Sequence, residues 1–141
     1  MEIEGFKMLS KSNFHISLVC IGKIMEEQKI SIPHFEDLVI KDFCNFIKDN
    51  DVSLIKYSNE FRLVTQNERK SLVLMCEVSN IDKFFDTLNR KYKLSLENQP
   101  THITLYTLQP DMGIFISDSK DLEQLTRVIE NPIKKLLFGS N

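Results

Sequence analysis

Tryptophan is absent from the 141 residues, and cysteine and histidine occur only three times each. No apolar run approaches the roughly 20 residues needed to cross a bilayer, which argues against a membrane-spanning chain. The first residues, Met1-Glu2-Ile3-Glu4-Gly5-Phe6-Lys7, lack the basic-then-apolar order of an export signal, so the expected compartment is the cytoplasm. Cys20, Cys44 and Cys76 are odd in number, widely spaced and set among apolar neighbours. That pattern fits neither a disulfide framework nor a zinc site and predicts three buried thiols acting as small hydrophobes. Gly113 lies in no glycine-rich phosphate loop, so nothing supports ATP or GTP hydrolysis. A strong excess of positive charge is missing too. The formal net charge is −2, and the basic residues between 56 and 93 are interleaved with acids. A grip on an extended duplex, which needs many phosphate contacts, is not expected; a small anionic substrate is compatible.

What is present is enough apolar material for one core. The hydrophobic fraction is 42%, too high for a disordered chain, and the length suits a single domain over 1–141 without linkers or low-complexity segments. The apolar, β-branched stretch 14–24 reads as a strand. After Pro33, apolar residues recur at three- and four-residue steps from Phe35 to Ile47, predicting an amphipathic helix that stops near Asn50. Three strands are expected next, over 52–57, 61–65 and 71–78, with Ser58-Asn59-Glu60 as a hairpin turn and the last strand covered on both faces. Asn80 or Asp82 can cap a helix running to about Tyr92. Strands over 101–108 and 113–116 follow, separated by a turn at Gln109-Pro110-Asp111. A third helix is expected from about Asp118 through Ile129, ending before Pro132, with 133–138 docking as a further helical turn. Hairpins with intervening helices point to the α+β class rather than a doubly wound sheet.

One internal echo stands out: Phe14-His15-Ile16-Ser17-Leu18 against Thr101-His102-Ile103-Thr104-Leu105. On a strand, alternate side chains share a face, so His15 and Ser17 point one way and Phe14, Ile16 and Leu18 the other. His102 and Thr104 pair likewise, and continued alternation would add Tyr106 to their face. Each unit offers an imidazole and a hydroxyl about 7 Å apart on a backbone held by its apolar rear. Two such units across a cleft suit phosphodiester chemistry. A neutral imidazole takes a proton from water or a ribose hydroxyl, a protonated one gives a proton to the departing oxygen, and the hydroxyls hold phosphate oxygens. The plain alternative is a pair of partly buried strand histidines bonded to their neighbours. His34, at the start of a helix with no partner motif, reads as surface. Arg69 and Lys70 could reach a phosphate from their loop but read better as a solvated turn, and Tyr57 and Phe61 read as packing residues rather than stacking platforms.

The paired pattern of His, any residue, Ser or Thr, then a hydrophobe resembles the two-histidine (2H) phosphoesterase superfamily. The resemblance spans roughly 14–106, and its specific content is the two tetrapeptides. It implies a bilobed α+β fold with pseudo-twofold antiparallel sheets, flanking helices and a central cleft. It further implies metal-independent cleavage or transfer, without cofactor, at cyclic or 2′,5′-type phosphodiesters of nucleotides and RNA ends. His15 and His102 would then be the acid/base pair, Ser17 and Thr104 the phosphate-binding hydroxyls, and Tyr106 a candidate substrate contact. Ser17 stands where Thr is commoner, keeping the hydroxyl. Only fourteen residues precede the first motif, where many members place a strand and a helix. Two other readings stay open: a nucleotide sensor or sponge that binds without turnover, and an interaction domain in which the histidines are incidental.

Overall fold

The computed structural model describes residues 1–132; the expected docking of 133–138 lies outside the described residues. Among the described residues the chain runs β1 (Glu2–Ile3), β2 (Phe6–Lys7), β3 (Leu9–Ser10), α1 (Ile21–Glu27), α2 (Phe35–Phe46), β4 (Leu54–Gln66), β5 (Arg69–Val78), α3 (Ile81–Tyr92), β6 (His102–Thr107), α4 (Ser119–Leu125) and β7 (Thr126–Ile129). It is a mixed α/β arrangement with two antiparallel sheets, neither closed into a barrel. β1 and β2 form a small hairpin whose turn residues, Glu4 and Gly5, both take positive φ, the conformation a tight two-residue hairpin requires. The other sheet has the order β3-β6-β5-β4-β7. Among the described residues no helix is long and apolar enough to cross a membrane.

β5 sits at the centre, and its near-continuous burial matches the apolar reading of 71–78. One face of the sheet carries Phe61, Leu63 and Leu72 and is covered by Ile3 and Met8 from the N-terminal segment. The opposite face carries Val64, Val73 and Met75, packed by Ile114 and Ile116, with Leu122 and Leu125 of α4 at its margin. A third cluster joins α1, α2 and α3 through Ile24, Phe35, Val39, Phe84 and Leu88. Phe43 and Phe46 bring their rings to 5.2 and 5.3 Å from that of Phe84, and Asp42 of α2 accepts hydrogen bonds from Lys91 and Tyr92 of α3.

Several sequence expectations are corrected here. The stretch 14–24 is not one strand. Only Ile16 makes a ladder bridge, to Ile103, and from Ile21 the chain is helical, because Ile21, Ile24 and Met25 fall at helical spacing and face the helical cluster. Ser58-Asn59-Glu60 is no hairpin turn: β4 passes straight through it, and the pairing with β5 slips between Tyr57 and Phe61. The reversal occurs at Asn67-Glu68, where Asn67 adopts the left-handed conformation that Asn tolerates. Residues 113–116 form no strand, although Ile114 and Ile116 are buried as an alternating pattern requires. The last helix ends at Leu125. Thr126–Ile129, rich in β-branched side chains, instead pairs with the free edge of β4 over Phe61 to Val64. Nor are all three thiols buried: Cys76 is buried, Cys20 is half-buried and Cys44 is exposed.

Candidate functional site

β6 positions the second motif by its pairing with β5, Met75 opposite His102 and Val73 opposite Thr104. Paired residues share a face, so His102 and Thr104 stand on the side of the sheet that carries Val73 and Met75. Thr101 fixes the start of the strand: its hydroxyl donates to the Cys76 carbonyl at 2.6 Å, and its carbonyl accepts from the Cys76 amide. The first motif lies along the other edge of β6. The single bridge Ile16–Ile103 is antiparallel, so the first motif runs opposite to β6, with His15 toward the Thr104 end and Ser17 toward the His102 end. The two imidazoles line the same cleft, close enough for His15 to act electrostatically on His102.

His15, Ser17, His102 and Thr104 line one cleft of about 360 Å³. Its other walls come from Lys11, Arg69 and Gln99 and from the loop around Met112, Gly113 and Phe115. The backs of the motifs are unequal. Ile16 and Leu18 are half-buried, whereas Phe14 is exposed rather than packed behind the strand.

The two rings differ in environment. His15 is exposed; His102 is only 8% exposed. The Nδ1 of His102 lies 3.2 Å from the Pro100 carbonyl. A carbonyl only accepts, so Nδ1 carries the proton and, in the neutral ring, Nε2 keeps its lone pair. Burial lowers the His102 pKa below its ordinary value. The Pro100 carbonyl partly opposes this by favouring the imidazolium, and repulsion from His15 adds to the lowering. Burial thus favours the neutral ring of His102, with Nε2 as its basic nitrogen, and His15 stands open to solvent.

Tyr106 does not reach this cleft. The pairing Leu72–Tyr106 followed by Val73–Thr104 leaves Leu105 as an extra residue in β6. That bulge interrupts the alternation and turns Tyr106 to the opposite face, where it packs against the cluster containing Ile3, Met8 and Leu72. His34 is exposed at the start of α2, away from the cleft.

Other residues become visible only in three dimensions. Gln99 is 5% exposed; its side-chain oxygen accepts from the Cys20 amide at 2.9 Å and its nitrogen donates to the Ser17 carbonyl at 3.2 Å. It ties the first motif, which has only one ladder bridge, to the residues leading into the second. Asp111, in the left-handed conformation, accepts from both the amide and the hydroxyl of Ser12 and lies 3.7 Å from Lys11 Nζ. The Ser12 amide foremost, then its hydroxyl and Lys11, hold the Asp111 carboxyl below the usual carboxylate range. Arg69 follows the β4–β5 turn and shares the cleft face through its alternation with Ser71 and Val73. Of these, the sequence offered a signal only for Arg69, as a loop cation, and for Asp111, as a turn residue. Gln99 carried none.

No protein-family model, curated protein or solved structure matches this chain. The chemistry therefore has to be read from the cleft. Two imidazoles, one neutral by burial and one open to solvent, stand with two hydroxyls and two nearby cations; this set can move a proton on and off an anionic centre. A smaller cavity of about 190 Å³ lies beyond Gln99, where Glu27, Glu97 and Asp118 outnumber Lys23 and make it unsuited to phosphate.

Proposed function

We propose that the protein is a 2H-type phosphoesterase that hydrolyses cyclic phosphodiesters of nucleotides or RNA ends by two-histidine general acid/base catalysis. The single observation that carries this reading is the convergence of His15, Ser17, His102 and Thr104 on one cleft from segments far apart in the chain. His102, neutral and with Nε2 unprotonated, removes a proton from the attacking water. The water oxygen bonds to phosphorus, and the bond from phosphorus to a ribose oxygen breaks. His15, entering as the imidazolium, gives its proton to that departing oxygen, and the product is a phosphomonoester. Ser17 and Thr104 donate to the non-bridging oxygens, where negative charge grows. No cofactor or metal enters the scheme. The reading carries with it a bilobed, pseudo-twofold relation between the motifs. The antiparallel bridge between Ile16 and Ile103, the middle residues of the two motifs, supports it.

The test is turnover of a panel of 2′,3′-cyclic and 3′,5′-cyclic nucleotides in the presence of EDTA. His15→Ala and His102→Ala are each expected to lower kcat by roughly 10²–10⁴-fold. Turnover that survives the double substitution, or that requires an added metal, refutes the mechanism. Tight binding with ligand recovered unchanged after long incubation would instead identify a sensor or sponge.

A further inference from the structure

The cleft carries more recognition surface than a single cyclic phosphate uses. Such a phosphate bears one negative charge, which the hydroxyls of Ser17 and Thr104 and one imidazolium already meet. Lys11 is offset by Asp111, 3.7 Å from its Nζ. Arg69 is left over: exposed on the cleft wall, with no ion-pair partner among the described residues.

Phe115 is the second surplus feature. It lies on the cleft wall at 64% exposure, between Ile114 at 4% and Ile116 at 0%. Both isoleucines are sunk among Val64, Val73 and Met75, so the backbone on either side of Phe115 is anchored and the ring is turned outward. At 64% it is the most exposed of the large apolar side chains among the described residues, and it lines the cleft, so a base lying at the cleft mouth can stack on it. Volume supplies the third constraint. At about 360 Å³ the cavity lies near the small end of ligand pockets, with room for about one nucleotide unit. Arg69 and Phe115 are both exposed and both line this cavity, so a longer substrate that extends past them gains contacts the first unit does not use.

We propose that Arg69 and Phe115 form a second subsite, Arg69 taking the next phosphate and Phe115 stacking on the next base. The preferred substrate is then a nucleotide chain of two or more units rather than a cyclic mononucleotide. This rests on the phosphodiester reading of the cleft and adds to it the substrate class.

The experiment compares kcat/KM for a trinucleotide ending in a 2′,3′-cyclic phosphate with that for the matching cyclic mononucleotide, using the full chain. Stacking and charge contacts of this kind correspond to roughly 5–150-fold each. A preference of at least tenfold for the trinucleotide is expected, and Arg69→Gln and Phe115→Ser should each cut that ratio by about fivefold or more. A wild-type ratio near one, or a ratio that both variants keep, overturns the subsite. If the wild type turns over neither compound, the catalytic reading fails, and dissociation constants for the same two compounds decide the subsite. Tighter trinucleotide binding that both variants weaken upholds it, and equal binding of both compounds overturns it.

Discussion

His102 owes its character to two neighbours that act in opposite directions. Burial disfavours its imidazolium, while the Pro100 carbonyl at 3.2 Å fixes the tautomer and favours the proton on Nδ1. Burial is the larger effect, so the ring keeps its basic nitrogen free at a pH below its ordinary value of 6.5. The acid limb of kcat/KM should therefore have its midpoint below 6.5, which a pH profile measured at constant ionic strength will show; a midpoint above 6.5 contradicts the assignment of His102 as base. The same shift acts on stability. As pH falls below 6.5 the unfolded chain takes up a proton at this ring before the folded chain does, so stability present above that pH is lost as pH falls through the folded value. His102→Gln should flatten that loss in denaturant titrations at a series of pH values. Gln99 makes a different prediction, because it touches backbone rather than ring. Gln99→Leu strips the Cys20 amide and the Ser17 carbonyl of their partner, at a cost of about 1–3 kcal/mol. Thermal unfolding should register the loss. Turnover should fall as His15 and Ser17 lose their mooring, and the acid limb set by His102 should stay where it was.

At the scale of elements, the places where the sequence could and could not be read have physical causes. α3 was legible because Phe84, Phe85 and Leu88 repeat at helical spacing and all three are buried. β5 was legible as an unbroken apolar run that only a central strand can bury. Ser58-Asn59-Glu60 was misleading because a bulge and a turn draw on the same polar residues; what separates them is the partner strand, which local composition does not contain. Thr126–Ile129 satisfies both a helical apolar pattern and β propensity, and the open edge of β4 decides for the strand. The motif residues themselves were readable because an imidazole and a hydroxyl two places apart share a face under strict alternation. Tyr106 was not, because one inserted residue, Leu105, ends that alternation. The helical cluster yields its own prediction. Phe84 is fully buried and meets the rings of both Phe43 and Phe46. Phe84→Ala should cost about 3–5 kcal/mol, read from the midpoint of urea unfolding. A loss below about 1 kcal/mol would mean that α2 and α3 are not held together as described.

Over the whole molecule, charge and shape restrict the partner more tightly than the cleft does alone. The formal net charge is −2, so the long-range field does not gather polyanions; attraction has to come from the cleft itself. There Lys11 is tied to Asp111, and Arg69 lines the cleft with no ion-pair partner among the described residues. A polyanion seated on such a surface displaces few counterions. For single strands the slope of log K against log salt is about −0.7 for each phosphate neutralised. One or two contacts at Arg69 and Lys11 thus predict a slope between about −0.7 and −1.4. The measurement uses the doubly substituted His15→Ala, His102→Ala chain, so that the oligonucleotide survives, and follows its affinity from low to moderate salt. A slope steeper than about −3 would require at least four phosphate contacts, and the grip would then have to extend well beyond the cleft. A shallow slope combined with a loss of affinity in Phe115→Ser is the signature of a site that reads one short stretch of nucleotide, by a ring and the Arg69 guanidinium, at the mouth of a pocket built around two imidazoles.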